Sequence, residues 1–320
     1  MKGPVSPDVW RLIATRLGSL VATLLVASIA IYGALFLAPG NPATLLAGGH
    51  ATPALLRAID RREHLNEPFL ARYWHWLVGL LHGNLGQSFL YRESVTTLLA
   101  GRVENTVFLV VYAATLIIVG GVVLGLLAAL FRRTGAVITV ATSVGLATPS
   151  FVAAIILITV FAVDLKWFPV FGAGSGFVDQ LRHLTLPALA LSLSWLAYTA
   201  QLTKAAVTAE LAREHVETAR SRGIRDRHVV TRHVLRNAMI PITTVSGLTI
   251  AGLIAGDVVV EQAFGINGLG SFLVQSALQK DFASVQAVSL LLVTAFVVIN
   301  SAVDLWSLAL DPRLRAGTQR

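Results

Sequence analysis

Cysteine is absent from this 320-residue chain. With it go disulfide staples, thiol nucleophiles, thiolate metal sites and iron–sulfur clusters. Charge is scarce as well. Only 13% of the residues are Asp, Glu, Lys or Arg, against roughly a quarter in an ordinary soluble domain. Hydrophobic residues make up 55% of the chain, and the mean hydropathy is +0.72. That composition excludes intrinsic disorder, which requires low hydrophobicity, and a chain that is soluble on its own. A nucleotide cradle is missing too. The P-loop pattern G-x-x-x-x-G-K-[ST] needs a glycine directly before its lysine, and none of Lys2, Lys166, Lys204 and Lys280 follows one. There is no H-E-x-x-H pattern, and the eight histidines show no metal-ligand spacing. What is present is a formal net charge of +8. On a hydrophobic chain this points either to nucleic acid or to basic loops held on one side of a membrane.

Six stretches free of Asp, Glu, Lys and Arg are long enough to cross a bilayer, which takes about 20 residues. They are Leu17–Ala38, Asn105–Phe131, Thr134–Val163, His183–Thr203, Asn237–Gly256 and Phe282–Val303. Helices of a soluble protein rarely avoid charge for so long so often, so the sequence predicts six transmembrane helices. The first run ends in Pro39-Gly40-Asn41-Pro42, not in a small-residue cleavage site, and reads as a permanent anchor. An even number of spans puts both termini on one side. That side collects 16 of the 25 basic residues, from Lys2, Arg11 and Arg16 through Arg132, Arg133 and the 204–236 stretch to Arg313, Arg315 and Arg320. By the positive-inside rule this side is cytoplasmic. Its net charge is +10, the opposite side is neutral, and Asp257 and Asp304 fall within spans. Nucleic acid is not needed to explain the basicity.

Two regions outside the spans are sizeable. Residues 39–104 face outward and carry Tyr73-Trp74-His75-Trp76 and His82-Gly83-Asn84-Leu85-Gly86. The aromatic stretch suits an interfacial amphipathic helix with Trp74 and Trp76 at headgroup level. Residues 204–240 face the cytoplasm with charge on every turn. Helical spacing puts Val216 and Ala219 on one face, with a break at Gly223 and a second short helix over Asp226–Leu235. The next span starts near Pro241. Such a helix–turn–helix suits docking into a partner's groove, but a solvated loop obeying the sidedness rule has the same composition, and composition leaves both open.

Chemistry within the membrane is thinly supplied. Asp257 and Asp304 sit near opposite ends of their spans, which suits interfacial placement better than a proton relay. Ser143, Ser192 and Ser194 lie in spans with no histidine placed to activate them. Gly121 and Gly125 have the small-residue spacing of helix packing.

At the cytoplasmic loop a resemblance emerges. Glu217-Thr218-Ala219, followed after three residues by Gly223, resembles the E-A-A-x-x-x-G motif of ABC importer permeases, with Thr218 where the motif has alanine. The flanking Val216–Ile224 and Arg232-His233-Val234-Leu235-Arg236-Asn237-Ala238-Met239-Ile240-Pro241 look like the B-type permease of dipeptide and oligopeptide importers. So do Val258-Val259-Val260-Glu261-Gln262-Ala263-Phe264 with Gly265–Gly270, Phe36–Pro42, and Gly83-Asn84-Leu85-Gly86-Gln87-Ser88. Asp257 stands where that family has a small residue. The pieces cover nearly the whole chain in order.

The resemblance implies an all-α, type I ABC importer permease fold with six spans, both termini cytoplasmic, in a bacterial plasma membrane. Residues 1–104 would be an anchor helix plus extracytoplasmic region. Residues 105–310 would be a five-helix core carrying the 204–240 coupling loop, and 311–320 a cytoplasmic tail. The chain would be no enzyme and would hold no cofactor. ATP and magnesium would belong to two partner ATPase subunits, with a C-type permease as the other half of the pore and an extracytoplasmic binding protein delivering peptide. Contact with membrane lipid is implied, with nucleic acid not. Glu217, Thr218, Ala219, Gly223, Ile224 and Asp226 would couple to the ATPase. Nickel or another small solute is the alternative cargo within the family. An ion-coupled carrier would show inverted repeats, and none is evident.

Overall fold

The computed structural model describes residues 7–37, 43, 47, 52–62 and 66–310, all helix and connecting turns apart from an isolated bridge between Gln87 and Ser94. The Pro39–Pro42 motif, Lys2 and the tail from Asp311 lie outside these residues, as do the side chains of Asp257 and Asp304. The helices are α1 (Pro7–Phe36), α2 (Pro53–Arg62), α3 (Phe69–Leu81), α4 (Val95–Thr115), α5 (Gly121–Leu130), α6 (Arg132–Ala147), α7 (Ser150–Leu157), α8 (Phe177–Leu211), α9 (Glu214–Ser221), α10 (Leu235–Ala263), α11 (Leu269–Leu278) and α12 (Phe282–Leu310). A π-helical turn over Leu116–Gly120 joins α4 to α5. Similar segments follow α7 (Ile158–Asp164) and precede α10 (Val229–Val234).

Among the described residues three helical stretches are long and apolar enough to cross a membrane. They are Thr15–Phe36, Val95–Leu130 and Phe282–Val303. A fourth is broken: α6 and the α7 segment to Asp164 are each apolar, but their axes differ by 106°. The uninterrupted apolar run 134–163 is therefore two helices. The cause is Pro149, which disfavours helical geometry at the residue before it; Thr148 is extended at φ −89° and ψ 115°. The carbonyl of Thr148 is met by the Ser194 hydroxyl at 2.8 Å, which also reaches the Gly145 carbonyl at 3.3 Å. Helices α8 and α10, at 35 and 29 residues, are also long enough to span, and α8 is the more polar of the two.

The chain divides into two compact units. In the first, residues 1–104 with 268–297, α1 packs on α3 through aromatic edges. Tyr32 lies 5.7 Å from Phe69 and 5.3 Å from Trp76 between ring centroids, and the Ser28 hydroxyl pairs with Tyr73 at 2.7 Å. Trp76 is thus packed on α1 and partly buried, while Trp74 is exposed. Elsewhere in this unit Val95 and Leu99 pack with Leu269, Phe272, Ala287 and Val288. The Arg102 guanidinium lies 4.2 Å from the centre of the Phe272 ring. Helix α4 thus begins at Val95, ten residues before the charge-free run at Asn105, with Arg102 packed on an aromatic ring within its length. Asp281 is fully buried, taking the Ser88 hydroxyl at 2.5 Å, the Ser284 hydroxyl at 2.8 Å and the Phe89 amide at 3.2 Å.

In the second unit, residues 105–267 with 298–320, α8 is central and packs against α5, α6, α7 and α10. Its interior place explains its polarity, because Gln180, Ser192, Thr199 and Thr203 are shielded by protein, not lipid. Gly121 and Gly125 of α5 lie against Thr199 and Thr203 of α8, so closely that a methyl group at Gly125 would stand 2.5 Å from the Thr203 Cβ. This is the small-residue packing that their spacing predicts.

Candidate functional site

The charged loop between α8 and α10 is built on an apolar layer. Val216 and Ala219 of α9 are buried with Val207 of α8, Val229 and Val234 of the π segment, and Ala238 and Ile242 of α10. Their three-residue separation puts both on the inner face. Glu214 and Glu217 occupy the first turn of α9 and Arg220 the last, the sense that complements the helix dipole. Outward from this layer, Glu217 and Thr218 are exposed, and the Thr218 hydroxyl is turned back onto the Glu214 carbonyl at 2.9 Å.

Helix α9 ends on Gly223. Its amide donates to the Arg220 carbonyl at 2.9 Å, the Ile224 amide donates to the Ala219 carbonyl at 3.2 Å, and Gly223 itself has φ +72°. This paired arrangement is a Schellman motif, which requires a left-handed residue that glycine supplies at least cost. Ile224 packs back on the same apolar layer as Ala219, the contact that accompanies such an ending. Gly223 faces open space, with nothing within 4 Å of where a Cβ would lie. Asp226, exposed, pairs with Arg220 at 3.1 Å.

The six residues singled out in the sequence thus separate into two layers. Glu217, Thr218, Gly223 and Asp226 form an outward surface, while Ala219 and Ile224 support it from beneath. The second short helix differs from the sequence expectation. Asp226–His228 is a single turn that runs through the π segment directly into α10, with Pro241 inside α10 instead of at its start. Proline costs one hydrogen bond and some crowding, and here it does not begin the helix.

Sequence reasoning missed Glu210. Its carboxylate is buried in the last turn of α8 and is met by Arg213 Nε at 3.0 Å, His215 Nε2 at 3.3 Å and Asn237 Nδ2 at 2.7 Å. Arg213 lies three residues away in the link that follows α8, so this contact is local. Asn237 lies 27 residues on, with no local signal. Among the described residues no three His, Asp or Glu side chains converge as a metal site would need.

Comparison with known proteins decides what this architecture belongs to. Residues 121–316 match the family described as binding-protein-dependent transport system inner membrane component, and residues 9–110 match the N-terminal domain of such membrane components. The chain belongs to this family of ABC importer permeases. It is 33% identical over 303 residues to the glutathione transport system permease protein GsiC of Escherichia coli O6:H1, covering 94% of this chain and 97% of that one. It is 36% identical over 312 residues to a Brucella abortus (strain 2308) protein named for a peptide transport system permease, covering 95% and 98%. Among solved structures it is similar in fold to the MetNI methionine ABC transporter in an inward-facing conformation. The TM-score there is 0.55 at 17% identity, over 68% of this chain and 97% of that one. A second likeness, to an amino acid ABC transporter, has a TM-score of 0.52 at 18% identity, over 66% and 94%. As a permease of this family the chain is a transport component of the inner membrane and not a catalytic subunit. The resemblance carried by Glu217–Gly223 and its flanking segments is that of the family the comparisons identify.

Proposed function

We propose that this chain forms half of the translocation pore of an ATP-driven importer of short peptides, glutathione among them. The relatives named for glutathione and peptide transport support the cargo. The observation that carries the mechanism is the surface of α9: a short helix seated on an apolar layer that presents Glu217, Thr218 and Gly223 outward, in a sequence that carries no P-loop pattern. Energy then enters through a partner. In this reading six helices cross the membrane with both termini cytoplasmic, α8 and α10 among them, and residues 204–240 dock on an ATPase subunit. A C-type permease completes the pore, a second ATPase serves it, and an extracytoplasmic binding protein brings the peptide to the outer face. Closure of the ATPase pair moves α9 and the helices behind it between two discrete arrangements. Delivery is coupled to the switch only to the extent that loaded binding protein prefers one of them.

The test is reconstitution of this chain with its neighbouring permease, ATPases and binding protein in liposomes, followed by uptake of labelled di- and tetrapeptides, glutathione and nickel. ATP-dependent accumulation of a peptide is expected. Accumulation of nickel alone moves the chain to the metal branch of the family, and no ATP-dependent uptake of any of them overturns the importer reading.

A further inference from the structure

The buried carboxylate of Glu210 is a candidate for more than local structure. It closes the last turn of α8, and its three partners come from three places: Arg213 in the α8–α9 link, His215 in the first turn of α9, and Asn237 in the third residue of α10. The Arg213 amide also donates to the Glu210 main-chain carbonyl at 3.2 Å. One side chain therefore ties the docking helix to both long helices that flank it. The apolar layer beneath α9 holds the same elements together, but hydrophobic contact is non-directional and lets a short helix slide or roll. Hydrogen bonds and ion pairs have fixed lengths and angles. A buried charge pair adds little net stability over an apolar replacement, and its attested use is to fix register. Arg213 is 64% exposed, Glu210 only 6%, so the arginine also has water available. What the carboxylate provides is geometry.

We infer that Glu210 is a positioning residue for coupling: it locks α9 to the ends of α8 and α10, so that displacement of the docking helix is passed to both as one body. This rests on the docking role proposed for α9. Without the lock, α9 still docks but moves on its apolar bed, and part of each ATPase stroke is lost before it reaches the pore.

Two measurements test this. The first needs no partner. Because the chain has no cysteine, spin labels can be placed at Thr208→Cys on α8 and Ser221→Cys on α9, both exposed. The Glu210 wild type is expected to give a single narrow distance distribution and Glu210→Gln a clearly broadened one. Glutamine is isosteric and can still accept from Asn237, so folding is preserved; Arg213→Gln, at an exposed position, is expected to broaden the distribution to a smaller degree. The second uses the reconstituted transporter. Glu210→Gln is expected to retain its ATPase subunits on purification while peptide taken up per ATP hydrolysed falls about tenfold. A merely structural role would instead lower the amount of assembled complex at unchanged coupling ratio. Unchanged distance distributions, or an unchanged coupling ratio, in both variants overturn the inference while leaving docking intact. If the wild-type chain does not hold its ATPase through α9, the docking reading fails and this inference with it.

Discussion

Gly223 shows how much one residue can be asked to do. Its φ of +72° and the two reversed hydrogen bonds from Gly223 and Ile224 make it the residue that terminates α9. A non-glycine residue there costs about 1 kcal/mol of backbone strain, and less for Asn or Asp, which visit the left-handed region more readily. Nothing within 4 Å would meet its Cβ, so substitution creates no clash inside the chain. If helix termination were its whole role, Gly223→Asn and Gly223→Asp would behave alike and near wild type. If the same surface lies against an ATPase groove, added bulk and charge act there instead. Gly223→Asp is expected to insert in the membrane at wild-type levels while ATPase co-purification and peptide uptake are both lost. Retention of both would remove Gly223 and its neighbours from the interface.

At the scale of elements, packing separates glycines that sequence spacing alone treats alike. Gly125 of α5 has Thr203 Cβ at 2.5 Å and the Ala200 carbonyl oxygen at 2.6 Å from an added Cβ, whereas Gly101 of α4 has nothing within 4 Å. Gly125→Ala must push α5 away from α8, and overpacking of this kind costs about 1–3 kcal/mol. Gly101→Ala removes a flexible residue from a helix and stabilises by about 0.5–1 kcal/mol. Thermal unfolding of the detergent-purified chain is expected to shift down for the first and slightly up for the second; the reverse order would mean that α5 and α8 do not approach as described. The Gly121/Gly125 contact and the Val216/Ala219 face were legible because both follow from helical periodicity. The break at Pro149 was concealed by an apolar run that continues on both sides of it, and the start of α4 by the charges of Arg102 and Glu104. Neither Glu210 nor its bond to Asn237 had a sequence signal, since 27 residues and a chain reversal separate them.

For the whole molecule the decisive quantity is where the charge lies. The excess of +8 is a property of loops, and the loop from Lys204 to Arg236 holds Arg213, Arg220, Arg222, Arg225, Arg227 and Arg232, all exposed. Moving such a segment across a bilayer is strongly disfavoured, and the arginine bias sets orientation through the short loops near the spans. In the proposed six-span reading the pair Arg132-Arg133 at the start of α6 belongs to the same side, and the turn 165–176 and Glu93 to the other. A protein without native cysteine makes this directly measurable. In intact cells a membrane-impermeant maleimide is expected to label Glu93→Cys and Ser175→Cys, and to label Arg133→Cys and Ser221→Cys only after permeabilisation. Labelling of Ser221→Cys in intact cells would put α9 outside, where no ATPase can reach it. Labelling of Ser175→Cys and Arg133→Cys on the same side would make the bent pair α6–α7 a re-entrant hairpin in place of a span. The count of crossings would then become odd, and the termini would face opposite sides. The assay therefore reads the crossing between Arg133 and Ser175 and the docking face together, because with four crossings before α9 and two after it the loop that carries α9 and the two chain ends share one face.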